Sequence, residues 1–352
     1  MDSYPLFDAR GSAWELGYQH GTQAGEKIRG YAEYLAASLQ MSMSEMQIRT
    51  LQYMPLFDTQ CPILLEEIKG LAEGAQIPVS TAVALQLRGE LGQSAPEGCT
   101  TFVIGPRGTA NGETLIGQTS DTPAEIEQFA YGLRLTPNDR PALLMWTFGG
   151  MLGYHGINQH GVGHFANALG GGPAWRFALS HYPLKRLILE QRNMGDVLAL
   201  MRRMAVCSNG NYVLCDGAGQ IGDVELTSEG PHVLNEGGAG FMVHSNHYLC
   251  SAHACDANFA KSLPDSFPRL ERMRALVQEK FGALTAADLQ LMLTDHSGHP
   301  AGICRHPHEG YGDAILPSSG KTVAAIVAEP AQGKMHIARG NPCENPYMTW
   351  QL

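Results

Sequence analysis

The chain has 352 residues, 44% of them hydrophobic, with 41 glycines and 20 prolines. That content supports a sizeable buried core, in one large or two medium domains, and excludes a low-complexity chain. A formal net charge of −10 argues against nucleic acid or an anionic membrane as partner. No apolar run reaches the roughly 18 residues of a membrane span, and residues 1–5 are polar, unlike a signal peptide, so a cytoplasmic protein is expected. The eight cysteines are Cys61, Cys99, Cys207, Cys215, Cys250, Cys255, Cys304 and Cys343. In that setting they read as free, buried thiols rather than four disulfides.

Residues 1–95 read as mostly helical. Ser12 is placed to cap a helix that carries Trp14, Leu16, Ile28, Tyr31 and Leu35 at helical spacing. Gly17, Gly21 and Gly25 lie four apart and give that helix one narrow face for close packing. Further helices fit residues 43–56, 61–73 and 79–91, with Pro62 where a first turn tolerates proline. The character then changes at Gly98-Cys99-Thr100. Residues 101–104 and 114–117 flank the turn Gly105-Pro106-Arg107-Gly108 and read as a hairpin. Strands are expected at 143–147, 161–166, 212–215 and 241–244, and helices at 181–193, 194–204 and 264–280. Thr285 with Asp288 resembles a capping box for 286–294, and strands return at 323–327 and 334–337. No internal repeat is present. Blocks of helices between antiparallel strand pairs predict a layered α+β fold, with two sheets covered by helices.

After Cys99, four segments end on a polar residue: Asp121, Asn167, Asn246 and Arg269. Acyl transfer to a thiolate needs a nucleophile, a proton acceptor, a group that orients the acceptor, and donors facing the oxyanion. A chain cut at Gly98–Cys99 supplies the acceptor itself. The freed α-amine has an ordinary pKa of about 7.7–8.0, suited to taking a thiol proton. Asp121 can hold the ammonium form, and the asparagine amides can face the oxyanion. Read on their own, Cys99 is equally a buried structural thiol and Asp121 a turn cap before Pro123. Asn158, Asn167 and Asn246 are equally turn residues, and Arg269 a solvated or ion-paired helix residue.

The ordered set Gly98-Cys99-Thr100, Gly117-Gln118-x-x-Asp121, Gly156-Ile157-Asn158-x-x-Gly161-Val162, Phe165-Ala166-Asn167 and Ser245-Asn246-His247 resembles the acyl-coenzyme A:6-aminopenicillanic acid acyltransferase family. That family belongs to the N-terminal-nucleophile (Ntn) hydrolases, with bile-salt hydrolases and penicillin V acylases as relatives. Gly11-Ser12-x-x-Glu15-Leu16-Gly17, Asp295-His296-Ser297-Gly298-His299-Pro300-x-x-Ile303-Cys304-Arg305-His306 and Gly340-Asn341-Pro342-Cys343 extend the likeness over nearly the whole chain. The resemblance implies an αββα sandwich with a helical N-terminal segment. It implies a precursor cleaved at Gly98–Cys99 into fragments 1–98 and 99–352 that remain one folded unit. Carried over, Cys99 is the nucleophile, Asp121 contacts its amine, and Asn167 and Asn246 are oxyanion or substrate-orienting groups. Arg269 lies near the thiol. Gln118 stands where the bile-salt branch carries arginine, which favours the penicillin-acyltransferase branch. Thr119-Ser120 departs from the expected Asn-aromatic pair and leaves the shape of the acyl pocket open.

The expected activity is hydrolysis of a small acyl amide through a Cys99 thioester. The alternative is transfer of the acyl group, from an amide or acyl-coenzyme A, to an amine. Lys185-Arg186 and Arg202-Arg203 are the only basic pairs offered to coenzyme A phosphates, and the acidic balance is adverse. An unprocessed binding protein of the same fold is a reading of another class. A papain-like enzyme would need His164, His244 or His296 beside Cys99. His296, His299, Cys304, His306 and His308 suit zinc by residue type but not by spacing, so neither metal nor cofactor is expected. In the family pattern Asp295-His296 reads instead as a buried hydrogen-bonded pair. Small acyl amides or amines are the expected partners, with homo-oligomers left open.

Overall fold

The computed structural model describes residues 3–92, 98–250, 252–253, 265–300, 302–307 and 320–352. Cys255 and His308, named above, lie outside the described residues.

The N-terminal part is helical except at its start. Strand β1 (Leu6–Gly11) runs parallel to β4 (Ala130–Pro137), with Leu6 opposite Gly132 and Gly11 opposite Pro137. Its partner lies far along the chain and its burial pattern is irregular, so local periodicity did not reveal it. Helix α1 (Ala13–Ser38) begins in a complete capping box between Ser12 and Glu15. Helices α2 (Met43–Thr50), α3 (Met54–Gln60), α4 (Pro62–Ala75) and α5 (Val79–Ala84) follow. The predicted helix over 43–56 is broken by a 3-10 turn at Leu51–Tyr53, with Pro55 in the first turn of α3. The one over 79–91 ends at Ala84. The chain then tightens into a 3-10 turn at Arg88–Leu91, where Arg88 adopts a φ of +46°.

Helices α1 and α4 pack backbone to backbone. A Cβ on Gly17 would lie 1.9 Å from the Glu67 carbonyl oxygen, and one on Gly21 2.4 Å from that of Leu71. The fit is reciprocal, since a Cβ on Gly70 or Gly74 of α4 would lie 2.1 Å from the Trp14 carbonyl oxygen or 2.2 Å from that of Tyr18. Only glycine allows this approach. Helix α4 is tied in turn to α6 (His181–Ile188) by a fully buried bidentate pair, Arg186 to Glu67 at 2.7 and 2.9 Å.

The remaining strands are β2 (Gly98–Ile104), β3 (Leu115–Pro123), β5 (Leu143–Phe148), β6 (His155–Asn158), β7 (Gly163–Ala168), β8 (Gly210–Cys215), β9 (Ile221–Thr227), β10 (Gly230–Val233), β11 (Phe241–His244), β12 (Gly320–Glu329), β13 (Lys334–Arg339) and β14 (Tyr347–Gln351). They form an eight-stranded sheet ordered β1-β4-β5-β6-β7-β8-β9-β10 and a six-stranded sheet ordered β11-β2-β3-β12-β13-β14. Every pairing is antiparallel except β1–β4. The hairpin expected at 101–117 is β2–β3. Helix α7 (Met194–Arg203) follows α6, and α8 (Ser266–Glu279) and α9 (Ala286–Met292, with the Thr285/Asp288 box) lie against the six-stranded sheet.

Strand β12 displays the layering. Ala324, Ile326 and Ala328 join the core shared with the eight-stranded sheet and α1–α7. Ala325 and Val327 join a second core with Leu270, Met273 and Val277 of α8 and Leu289 of α9. A strand buried on both faces has a helical layer beyond it. Among the described residues, no helix is long and apolar enough to cross a membrane.

Gly17→Ala and Gly70→Ala are each expected to destabilise the protein by about 2 kcal/mol or more, because backbone must give way. Gly25→Ala should be neutral or stabilising. Its Cβ would meet the flexible end of Arg29 at 3.1 Å and Ala75 Cα at 3.6 Å, and alanine gains up to about 1 kcal/mol of helix propensity. Thermal denaturation of the three variants checks the contrast.

Candidate active site

The β2–β3 hairpin gives its two faces different work. Gly98 pairs with Asp121 and Cys99 with Ser120. By strand alternation Cys99, Gln118 and Ser120 share one face, and all three line a cavity of about 660 Å³. The cavity is completed by Ala166, Asn167 and Ala168 of β7, by Lys185 of α6 and by Arg88 and Glu90 of the N-terminal part. Thr100 and Asp121 lie on the opposite face, where Thr100 meets Arg269 of α8 and Asp121 meets Thr322 of β12.

Each polar atom of Cys99 has a partner. Its N–H donates to Asn246 Oδ1 at 3.2 Å, and Asn246 Nδ2 donates to the Cys99 sulfur at 3.3 Å and to the Ala168 carbonyl at 3.0 Å. Arg269 Nη2 also donates to Asn246 Oδ1, at 2.7 Å. With two donors on its oxygen, the amide has one sensible orientation, and that orientation turns its NH2 to the sulfur. The Cys99 carbonyl accepts from Arg269 Nη1 at 2.6 Å and Asn167 Nδ2 at 3.0 Å. Thr101 Oγ1 donates to Asn167 Oδ1 at 2.6 Å and fixes that amide too.

Asp121 is fully buried. Its Oδ1 accepts from Thr322 Oγ1 at 2.7 Å; its Oδ2 accepts no hydrogen bond from a described residue and stands 3.8 Å from Arg305 Nε. The Cys99 N–H is therefore held by Asn246, with Asp121 opposite Gly98 across the ladder. Arg305 Nη2 reaches Asp265 Oδ2, which also accepts from Arg269 Nε at 3.0 Å. A buried line of alternating charge, Asp121–Arg305–Asp265–Arg269, thus ends on the Cys99 carbonyl. Sequence reasoning gave no role to Asp265 or Arg305. The i,i+4 spacing of Asp265 and Arg269 was the available signal.

Burial dominates the titrations. It pushes the Cys99 thiol up to about 11, against the Asn246 hydrogen bond and the Arg269 charge, and with Asp121 adding to the rise. Burial also raises Asp121, opposed by Arg305 and Arg269. For Asp265 burial is outweighed by Arg269 and Arg305, and its carboxyl lies below the ordinary value.

Other expectations are redistributed. His244 bonds Glu225 through Nε2 at 3.0 Å and the Ser245 carbonyl through Nδ1 at 2.9 Å. Despite burial, Asp223 and Glu225 hold its pKa above the ordinary value, the wrong state for a base. His164 Nε2 meets the Lys185 carbonyl. Neither histidine hydrogen-bonds Cys99. Asn158 is a turn residue, its Oδ1 accepting from the His160 and Val162 amides. Arg186 is sealed against Glu67 and Glu190, and Arg202 and Arg203 are exposed on α7. Only Lys185 of the two basic pairs lines the cavity, over the Tyr154 ring at 4.5 Å. Asp295 and His296 are not a buried pair, a correction to the reading above. Asp295 binds Arg272 at 2.6 Å, while exposed His296 turns to His306 at 3.0 Å. A charged carboxylate is better served by a guanidinium than by a neutral ring.

Residues 108–344 match the family described as acyl-coenzyme A:6-aminopenicillanic acid acyl-transferase. The chain is 26% identical over 352 residues to the acyl-coenzyme A:6-aminopenicillanic-acid-acyltransferase 40 kDa form of Emericella nidulans, covering 97% of this chain and 94% of that protein. A conjugated bile acid hydrolase variant from Clostridium perfringens superposes with a TM-score of 0.50 at 11% identity, over 72% of this chain and 97% of that one. Penicillin V acylase from Agrobacterium tumefaciens gives 0.48 at 10% identity, over 68% and 82% of the two chains. At such identities likeness to the solved structures concerns the fold alone, and it rests on the first of the two: the Ntn-hydrolase arrangement of two facing sheets between helices. Because the family match spans about two thirds of its length, this chain belongs to the acyl-coenzyme A:6-aminopenicillanic acid acyltransferase family.

Proposed function

We propose that the chain is a self-processing Ntn enzyme that hydrolyses small acyl amides through a thioester on Cys99. The observation that carries this reading is the fixation of Cys99 at its nitrogen, carbonyl and sulfur by Asn246, Asn167 and Arg269, on the wall of the cavity.

In processing, the Cys99 sulfur attacks the Gly98 carbonyl. The C–N bond breaks, a C–S bond forms, and the thiol proton ends on the departing Cys99 nitrogen. Water then cleaves the thioester, leaving a carboxylate on Gly98 and restoring the thiol. The new amine takes the thiol proton in each later turnover. Asn246 Oδ1, already bonded to that nitrogen, orients its lone pair, and Asp121 Oδ2, which accepts no hydrogen bond from a described residue, faces the ammonium form as its counter-charge in this reading. Asn246 Nδ2, 3.3 Å from the sulfur, is the donor assigned to the developing oxyanion. Asn167 and Arg269 hold the Cys99 backbone and act as positioning residues.

Fragment 1–98 stays with fragment 99–352 in this reading. Strand β1 is paired into the eight-stranded sheet, Tyr4 donates to the Val323 carbonyl at 2.7 Å, and Arg88 and Glu90 help to line the cavity. Acyl transfer to an amine is the second reading, favoured by the acyltransferase named as a relative over nearly its full length. Water is preferred as acceptor because only Lys185 of the two basic pairs reaches the cavity, with Arg186 sealed away and Arg202 and Arg203 exposed on α7.

Intact-mass analysis and N-terminal sequencing test processing. The wild type should yield residues 1–98 and a fragment beginning Cys99-Thr100-Thr101, and Cys99→Ala should remain uncut. A wild type that stays one chain would overturn the amine mechanism. Asn246→Ala is expected to lower kcat by about 10²–10³, measured on chains confirmed as cleaved. Half-buried Glu90 at the cavity supplies a pH test. Burial raises its pKa from 4.5 to about 7, against hydrogen bonds from Cys207 and Ser208. The folded state then holds the proton more tightly than the unfolded one, so stability falls as pH rises through that window and levels off above it. Melting temperatures of the wild type should therefore fall more steeply between about pH 4.5 and 7 than those of Glu90→Gln.

A further inference from the structure

Among residues that do not line the cavity, two cysteines and two histidines converge. His296 and His306 present Nε2 atoms 3.0 Å apart. The Cys304 sulfur lies 3.6 Å from His306 Nε2 and 3.6 Å from the Cys343 sulfur, which is itself 3.3 Å from His306 Nε2. One ligand atom from each of the four falls within 4.8 Å of every other. The spacing objection fails here because Cys343 comes from a turn remote in sequence, after β13.

These distances can be set against a coordination shell. With Zn–S near 2.3 Å and Zn–N near 2.0–2.1 Å, tetrahedral angles give about 3.8 Å between sulfurs, about 3.6 Å from sulfur to nitrogen and about 3.3 Å between nitrogens. The four closest separations, 3.6 Å between the sulfurs, 3.3 and 3.6 Å from the sulfurs to His306 and 3.0 Å between the histidines, lie within a few tenths of an ångström of it, and His296 lies within 4.8 Å of both sulfurs. The supporting contacts are also those of a built site. Asn341 Nδ2 donates to the Cys304 sulfur at 3.4 Å, and His306 Nδ1 lies 3.7 Å from Glu344 Oε1. A hydrogen-bond donor on a ligand sulfur and a carboxylate behind a ligand imidazole are typical outer supports of metal sites.

We propose that His296, Cys304, His306 and Cys343 bind one zinc ion in a closed, structural Cys2His2 site. Binding displaces the two thiol protons to solvent, and the two thiolates neutralise the dication. All four positions are protein ligands, so the ion has no open site for catalysis. Its role follows from what lies between two of the ligands. Arg305 separates Cys304 from His306, and its own side chain turns inward to Asp265 and Asp121. Asn341, from the turn that carries Cys343, also donates to the Arg305 carbonyl at 2.6 Å. The ion therefore clamps both sides of a residue in the charge line behind Cys99. The site itself stands independently of the proposed reaction.

The test uses the full-length protein without an affinity tag, purified with no added metal. Elemental analysis should find about one zinc per chain. Replacement by cobalt(II) should give the strong ligand-field bands of a tetrahedral ion and a thiolate-to-cobalt charge-transfer band. Cys343→Ser changes an exposed position, and His296→Ala another. Both should lose the metal, with circular dichroism confirming the fold. Chelation should lower the wild-type melting temperature and leave Cys343→Ser unmoved. Three outcomes would overturn the proposal. One is a wild type that takes up neither zinc nor cobalt. Another is cobalt bands unchanged in Cys343→Ser, which would move the metal to a cluster such as His232, Cys250 and His253. The third is thiol titration that finds Cys304 and Cys343 joined as a disulfide.

Discussion

A guanidinium buried beneath Cys99 is the constraint from which the rest of the site follows. Arg269 is 1% exposed and spends its donors on the Cys99 carbonyl, Thr100 Oγ1, Asn246 Oδ1 and Asp265. A charge so placed requires an anion, and Asp265 provides it. Asp265 is shared with Arg305, whose remaining field falls on Asp121. Two cations and two anions close the account at zero net charge. No member can be removed without stranding a neighbour, at about 3–5 kcal/mol for a broken buried pair.

The hairpin β2–β3 makes that network useful without exposing it. Alternation along a strand puts the Cys99 sulfur on the cavity side and the ion pairs on the helix side. Backbone N–H and C=O groups lie in the plane of the sheet, within reach of either face. Asn246, from the segment after the neighbouring β11, and Asn167, at the end of β7 in the facing sheet, exploit this. Both hold the cysteine through main-chain atoms, and Asn246 also donates to the sulfur, which faces the cavity.

Features coded within a few residues were legible in the sequence. The Ser12 and Thr285 caps, the α1 glycine face, Pro62 at a first turn and the hairpin after Cys99 all follow from local rules, and each is present. The ordered polar residues were legible as a set. Cys99, Asn167, Asn246 and Arg269 do converge, with Asp121 across the ladder from Gly98. What stayed hidden is non-local. Strand β1 has no alternation of its own and exists because β4 offers an edge. Strand β9 buries Asp223 and Glu225 beside Asn211 and His244, so charge masks its strand pattern. The charge line closes only by bringing Arg305 back to Asp121, and the Cys/His cluster only by bringing Cys343 to Cys304 and His306; neither closure falls within a local window.

The origin of the partners around Cys99 also sets an order of events. The sulfur and backbone of this residue are held by side chains 68, 147 and 170 positions further along. Tyr4 closes onto Val323 across 319 positions. Closing such long loops costs entropy before the contacts form, so they come late in folding. On a growing polypeptide still attached to the ribosome, Cys99 emerges long before Asn246 and Arg269 have been made. It is then an ordinary thiol in a strand without neighbours. The topology acts as a timer: the surroundings of Cys99 come under strong polar control only after the chain has been made through Arg269.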